Sequence, residues 1–589
     1  MTPKSPLQGF DNIAPTFDVS SRGRAGYMPV RPPSKVAAVL RKRGGFTMTF
    51  KARTAGALTA LVLTALPLAL VPAVAEQPFT ASAGRAQVSV EQGQLLGFED
   101  RGIFTYRGVP YAKAERFKAP VAPDTWDGVR LAMNYGENCP APPMGAVAND
   151  EQFNPHRYMP ESEACQFVNI WTPATDATAK KPVMIWIHGG GFTNGSATEQ
   201  VAYDGRNLSE KGDVVVVSLN HRVNVLGTLD LSGFSDDYAD SANTGMEDIV
   251  AALEWVKANI DQFGGDPNNV TVFGQSGGGS KIRILMGIPA AKGLFHKAIL
   301  ESGSGLDSPA IGGDVAQAIA AHTVENLGLT KETISKIADV SYADLLAATQ
   351  KAITQTKNDG MASAAFRPSI DGRFIPEEPV QVGWAKYSSD IPLMVGNVLN
   401  EYETVINNSP AALLADNKAL WTPERTAEKM SERFGDKAAA IGAAWATAFP
   451  DFTPQDAFFF DPTRRQGVMK HAQLKAETGT APVYVWQFTW QSPVLDGVAG
   501  NWHCSEIPFV FDNVELVPQS NGGGDDVKAL AHVMSSAWIN FARTGNPNHN
   551  AMPRWPAYTP ENGATMLFNN TSDVRFNHDQ ALLKIFYPE

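Results

Sequence analysis

Residues 272–280 read VFGQSGGGS, a serine set among glycines directly after an apolar run. The residues before it, NVTVF (269–273), have the character of a buried strand, and those after it, SKIRILMG (280–287), that of a helix. Such a strand, turn and helix would lift the hydroxyl of Ser276 above the end of a sheet. Glycines belong on both sides because the turn needs strained backbone and close approaches that a side chain would obstruct. Gly-x-Ser-x-Gly alone occurs by chance, so its meaning depends on the surrounding elements.

Those elements alternate. KPVMIWIHGGGF (181–192) is an apolar strand running into glycines, and DVVVVSLNHRV (213–223) reads as a second buried strand. EDIVAALEWVKANIDQF (247–263) has helical spacing, and KAILESGSG (297–305) and PLMVGNVLNE (392–401) read as two more strands. Apolar strands alternating with helices predict the α/β class, with a large, mostly parallel sheet covered on both faces. Chemistry in such sheets gathers at the carboxyl ends of strands, where Gly189–Gly191, Ser276 and Glu401 all fall. QVSVEQGQLLGFEDRGIFTYRGVPYA (87–112) predicts an antiparallel hairpin ahead of the sheet. Residues 306–365 and 410–480, rich in Ala, Lys, Asp and Glu at helical spacing, predict helical insertions that wall the site.

The chain has 589 residues, of which 43% are hydrophobic and 19% charged, with a formal net charge of −12 and a pI near 5.4. That balance supports a large core and argues against nucleic acid as a partner, which needs clustered Lys and Arg. The basic RKRGG (41–45) precedes ALTALVLTALPLALVPAVA (57–75), which resembles a secretory leader closing on a small-x-small cleavage site, Ala73-Val74-Ala75. Pro67 and Pro72 disfavour a retained membrane span. Met48 is an alternative start. Residues 1–75 are therefore expected to be an extension and leader, residues 76–589 one catalytic domain, and the protein exported, either secreted or periplasmic. Three cysteines allow one internal bridge. Cys139 with Cys165 would close a short surface loop worth about 3 kcal/mol, leaving Cys504 free.

A serine hydroxyl is a weak nucleophile and needs a base, an acid that orients the base, and donors for the oxyanion. His188-Gly189-Gly190-Gly191 follows a strand with side-chain-free backbone. Gly190 and Gly191, with the amide of Gly277, are the expected oxyanion hole. His188 itself is read as support for the loop. No metal-ligand spacing is present, and neither metal nor cofactor is expected.

At this point the chain resembles the type-B carboxylesterases, relatives of cholinesterases and bacterial p-nitrobenzyl esterases within the α/β-hydrolase superfamily. The resemblance is carried by YRGVPYA (106–112), ACQFVNIWTP (164–173), IWIHGGGF (185–192), NHRVNVLG (220–227), FGGDPNNVTVFGQSGGG (263–279), GNVLNE (396–401), WHCSEIPFVF (502–511) and WINFARTGNPN (538–548). It implies an α/β-hydrolase fold and a triad of nucleophile, acid and base in the order Ser276, Glu401, His503. Glu401 stands five residues after Gly396, as the family's acid does, with Glu403 as the competing choice. His503 precedes the family's acidic-apolar-Pro-aromatic run. The implied reaction is hydrolysis of a small-molecule ester by water through an acyl-enzyme. An inactive cholinesterase-like binding protein and a long-chain lipase are the alternatives.

Two departures bear on the substrate. Gln275 stands where many relatives carry Glu, which gives up an anionic field at the site. The loop between Cys139 and Cys165 has no Trp for cation–π binding, although Phe153 and Tyr158 could partly substitute. A small, neutral, apolar ester is expected rather than a choline ester.

Overall fold

Apolar runs become strands here because successive side chains enter two different cores. In the computed structural model, Val183, Ile185 and Ile187 face one core while Met184 and Trp186 face the other, and all five are fully buried. Val215 and Val217 against Val216, and Val272 against Phe273, repeat the alternation. Each such side chain contributes about 1.5–3 kcal/mol of burial, which is why the runs are apolar at every position. The structure describes residues 79–80, 84–142, 153–404 and 417–588. The leader read over 1–75 lies outside them. By contacts the chain divides into residues 1–73 and 74–589, and every described residue is in the second unit.

The main sheet has eleven strands: β1 (Phe98–Asp100), β2 (Ile103–Pro110), β3 (Phe167–Thr172), β4 (Lys181–Ile187), β5 (Val215–Leu219), β6 (Gly265–Gln275), β7 (Lys297–Glu301), β8 (Leu393–Val398), β9 (Val483–Phe488), β10 (Ala564–Phe568) and β11 (Asp573–Phe576). They lie in the order β11-β10-β9-β8-β7-β6-β4-β5-β3-β2-β1. The strands from β10 to β5 run parallel. The edge pairs β10–β11, β5–β3, β3–β2 and β2–β1 are antiparallel. The mostly parallel sheet expected from the alternation is thus present, with antiparallel margins the apolar runs did not announce. The single hairpin expected over 87–112 is two: Gln87–Val90 pairs with Gly93–Leu96 in a small separate sheet, and β1 pairs with β2.

Helices α1 (Thr244–Asn259) and α2 (Gly277–Leu285) flank the centre of the sheet. The first insertion forms α3 (Gly313–Asn326) and α4 (Tyr342–Asn358), packed through Val315, Ile319, Leu345 and Leu346. The second supplies α5 (Pro423–Phe434), α6 (Ala438–Ala448) and α7 (Pro462–Thr478), with α5 and α6 packed around Met430, Ile441 and Trp445. Helices α4, α5 and α7 start where short polar side chains cap them. The Ser341 hydroxyl accepts from Asp344 N–H, and Thr422 from Arg425 N–H. Asp461 accepts from Thr463 and Arg464 N–H, and a proline follows each of the last two caps. Residues 410–416 of the second insertion lie outside the described residues. Cys139 and Cys165 are bonded and buried against Val223, and Cys504 is buried outside that disulfide.

Candidate active site

The β6–α2 junction has the strand-turn-helix form read from the sequence. Ser276 sits between strand and helix at φ 55°, ψ −119°, a left-handed conformation that costs a non-glycine residue on the order of 1–3 kcal/mol. Two main-chain bonds hold it there. Ser276 N–H donates to the Glu301 carbonyl at 2.8 Å, and Ser280 N–H to the Ser276 carbonyl at 3.0 Å. A Cβ on Gly278 would run into the Ile187 carbonyl, and one on Gly277 into the main chain of Gly191. Glycine at these two places lets the turn at Ser276 press against the end of β4. Ser276 is the partly exposed member of an otherwise buried junction, and it opens into a cavity of about 760 Å³.

That close approach sets three amides together. Gly190 and Gly191 have φ of 77° and 63°, which turns the loop after β4 back toward Gly277. Among the described residues the N–H groups of Gly190, Gly191 and Gly277 donate to no protein acceptor. Gly277 is the first residue of α2, where an N–H lacks an intrahelical partner by construction. Donors left unpaired at one place are what an anionic oxygen requires.

His503 and Glu401 arrive from two other loops. Nδ1 of His503 is hydrogen-bonded to Oε2 of Glu401, and both side chains are buried. The loops are stitched in the main chain as well, His503 N–H donating to the Glu401 carbonyl at 3.1 Å. Asn501 Oδ1 accepts from Leu399 N–H at 2.8 Å, and Asn400 Oδ1 from Asn501 N–H at 2.9 Å. Glu401 Oε1 accepts from Val398 N–H at 3.1 Å, so one oxygen is anchored while the other holds the imidazole. Glu403, the competing acid, points elsewhere and pairs with Arg433. Because Nδ1 faces a carboxylate, it carries the proton and Nε2 is left with a lone pair able to accept one.

No hydrogen bond joins Ser276 Oγ to His503 among the described residues. The amide of Gln275 lies beside the ring instead, its Nε2 3.4 Å from Nδ1 and 3.3 Å from Nε2. A donor almost equidistant from both ring nitrogens is off the lone-pair direction of each, so the Nε2 lone pair is not consumed. Cys504 Sγ donates to the Gln275 oxygen at 3.2 Å, which fixes which end of the amide meets the imidazole. The Tyr402 ring packs on His503 with centroids 4.3 Å apart.

Behind the glycine loop lies a group that sequence reading missed. Lys281, on α2 and fully buried, donates to the carbonyls of His188 at 2.9 Å and Gly189 at 3.2 Å. Burial pushes its ammonium down to about 7, partly offset by Glu199. His188 stacks on His221 with centroids 4.7 Å apart. Each donates its Nδ1 proton to a main-chain carbonyl, Gly189 and Arg222 respectively. Burial and then Lys281 hold both well below the ordinary histidine range, so both are neutral struts. Glu301 is buried under Ser276 with Oε1 accepting from Trp538 Nε1 at 2.7 Å; burial raises it to about 8 despite that bond. Glu506 is buried with neither oxygen partnered. Burial, then the charges of Glu301 and Glu401, hold it well above the carboxylate range. Among the described residues no group of three or more His, Cys, Asp or Glu is arranged to hold a metal, and no helix is long and apolar enough to cross a membrane.

Residues 84–585 match the model of the carboxylesterase family. The para-nitrobenzyl esterase of Bacillus subtilis (strain 168) is 35% identical over 510 residues, covering 84% of this chain and 96% of its own. The phenmedipham hydrolase of Pseudarthrobacter oxydans is 32% identical over 489 residues, covering 81% and 93%. Among solved structures, an esterase from Clostridium hathewayi described as able to hydrolyse aliphatic aromatic polyesters superposes with a TM-score of 0.78 at 38% identity, covering 86% of this chain and 99% of its own.

Proposed function

The chain belongs to the carboxylesterase family and is a carboxylic ester hydrolase of α/β-hydrolase fold. From that premise we propose that it works through an acyl-enzyme on Ser276, with His503 as base, Glu401 as orienting acid, and Gly190, Gly191 and Gly277 as oxyanion donors. The observation that carries the reading is the buried contact of His503 Nδ1 with Glu401, placed at the same strand ends as a strained Ser276 and three unpaired amides.

The steps follow from these positions. The first step needs a hydrogen bond from Ser276 Oγ to His503 Nε2, which is expected to form when substrate fills the cavity. Ser276 Oγ gives its proton to His503 Nε2 as the Oγ–C bond forms, and the carbonyl oxygen takes the displaced electron pair beside the glycine amides. Glu401 stabilises the imidazolium. The C–OR bond then breaks, the leaving alkoxide takes the proton from Nε2, and water repeats the sequence on the acyl-enzyme. A cavity of about 760 Å³ beside Ser276 supports the reading of a small-molecule ester as substrate. Its lining includes Arg283, Arg367 and Arg464, so the neutral, apolar part of the expectation from the sequence is not kept.

Mass spectrometry after labelling with a fluorophosphonate tests the assignment. A single adduct on Ser276 with loss of esterase activity is expected; full inactivation with Ser276 unmodified overturns it. A p-nitrophenyl ester series from acetate to palmitate separates the alternatives. Preference for short soluble chains supports the esterase, activation by emulsified long chains a lipase, and no turnover a binding protein. Export is part of the same proposal, supported by the apolar stretch ending at Ala75 and by the Cys139–Cys165 bond. The N-terminus of the mature protein tests it.

A further inference from the structure

Three guanidinium groups line the cavity that Ser276 opens into, and none of them is in contact with an acid among the described residues. Arg283 is on α2, two turns beyond the nucleophile, and is 3% exposed. Its Nη1 and Nη2 donate to the main-chain carbonyls of Gly303 at 3.4 Å and Asp307 at 2.8 Å, and its buried Nε has no partner. Arg367, half-buried, donates to the Ser308 carbonyl at 3.3 Å. Arg464, at the start of α7, lies over the face of Tyr402 with 5.7 Å from Cζ to the ring centre. Tyr402 in turn stacks on His503, so this cation is one ring away from the base. Among the described residues, no carboxylate lies within 4 Å of any of the three.

In this chain that arrangement is an exception. Acids outnumber bases, and the other two deeply buried arginines among the described residues are paired, Arg222 with Asp248 at 2.7 Å and Arg465 with Asp579 at 2.6 Å. An unpaired guanidinium in a buried setting is costly unless something else supplies the counter-charge. The three also act on one another. Burial first, then the charges of Arg464 and Arg367, push Arg283 down to about 10, with Glu378 and Asp307 opposing. It stays charged at neutral pH.

Three carboxylates share the lining, and each is accounted for. Glu403 is paired with Arg433. Asp461 caps α7, and burial, then the charge of Glu401, raises it to about 6. Asp307 is exposed, and it is its carbonyl, not its carboxylate, that meets Arg283. Glu378, behind the cavity, accepts from the Ser308 hydroxyl at 2.8 Å and from Gln381 N–H. Glu378 and Asp307 act on Arg283, and Asp461 on Arg464, only through space; among the described residues no carboxylate is in contact with any of the three guanidinium groups.

We propose that this cavity takes carboxylic esters that also carry a free carboxylate, with Arg283, Arg367 and Arg464 as its binding groups. Planar guanidinium forks match a carboxylate's two oxygens, and a charge-assisted bond in a partly dry cavity discriminates strongly against the uncharged analogue. The inference rests on the reading of Ser276 as nucleophile and adds to it the chemical class of substrate. The carboxylate can belong to the acyl or the alcohol half, and the test has one arm for each.

On the acyl side, p-nitrophenyl hemiglutarate is compared with p-nitrophenyl valerate. On the alcohol side, 4-acetoxybenzoate is compared with phenyl acetate. Each kcat/KM is normalised to the ester's own rate of alkaline hydrolysis. At low ionic strength at least one acidic ester is expected to exceed its neutral partner by about tenfold or more, the discrimination of one charge-assisted hydrogen bond. The ratio falls as salt is raised. Arg367→Gln and Arg464→Gln, at half-buried positions that tolerate change better than Arg283, each lower that ratio several-fold; reading the ratio cancels any general loss of activity. Ratios at or below one on both arms, in enzyme that turns over the neutral esters and labels at Ser276, overturn the inference. No turnover of any of the four esters, with Ser276 unlabelled, overturns the hydrolytic reading and this inference with it.

Discussion

His503 is tied to Glu401 twice, through Nδ1 to the carboxylate and through its main-chain N–H to the Glu401 carbonyl at 3.1 Å. The acid therefore fixes both the tautomer of the imidazole and the loop that carries it. Glu401→Gln removes the charge and presents a possible donor where an acceptor is needed, so kcat is expected to fall about 10⁴-fold with little loss of folding. Glu403→Gln, which breaks only a partly exposed pair with Arg433, is expected to cost less than about tenfold. Steady-state kinetics on the two variants decide between the acids, and equal losses would remove Glu401 from its assigned role.

Lys281 supports the glycine loop from below through the carbonyls of His188 and Gly189. Lys281→Met keeps the length and apolar stem but leaves two buried carbonyls without these donors. The loop then loses its hold on the amides of Gly190 and Gly191. The expected result is a drop in kcat of about ten- to a hundredfold, with KM changed much less, because oxyanion donors act mainly in the transition state. A rise in KM at constant kcat would mean that Lys281 shapes the cavity and not the donors.

The parts of this site legible in the sequence are those whose geometry is local. Ser276 is announced by its glycines, whereas Glu401 and His503 were named only through the family resemblance carried by GNVLNE (396–401) and WHCSEIPFVF (502–511). The central strands were legible from their own residues, since doubly buried parallel strands must be apolar at every position. Lys281, Arg283 and Arg464 were not. The run SKIRIL reads as a helix with two solvated cations, yet α2 is buried on nearly every side, so both charges are inside. A short helix squeezed behind a nucleophile turn has no free face, and that was the one signal available. Arg464 depends on how α7 docks against Tyr402, a contact between residues 62 positions apart that no local pattern encodes. The β1–β2 pair fell within the antiparallel hairpin expected over 87–112, whereas β10–β11 and the antiparallel pairing of β3 with β2 and β5 escaped, because pairing direction is set by distant segments that a strand's own residues do not encode.

Cys504 touches the oxygen of Gln275, whose nitrogen lies beside both ring nitrogens of His503. An adduct on this sulfur would displace the amide against the imidazole. Modification by a bulky aryl disulfide is expected to lower kcat by about tenfold or more, since misplacing a catalytic group by an ångström is costly. Cys504→Ala should be insensitive to the reagent. Full modification of Cys504, shown by mass spectrometry, with unchanged kcat would end this prediction.

Glu301 couples the site to stability through pH. Burial raises its folded value from 4.5 to about 8, with the Trp538 donor opposing the shift. Between those two pH values the folded chain holds a proton that the unfolded chain gives up. Unfolding is therefore favoured progressively as pH rises through this window. The contribution is full below about pH 4.5 and lost above about pH 8. Glu301→Gln keeps an acceptor for Trp538 Nε1 and cannot ionise, so its Tm should fall less over the same range. Glu506, also raised, titrates in both proteins, and the comparison removes most of its effect. Measured across that window, the Tm of wild type minus that of the variant should decrease steadily with pH. A difference that does not change would mean that Glu301 carries the same charge folded and unfolded, and that the floor beneath Ser276 is not the dry, protonated one described.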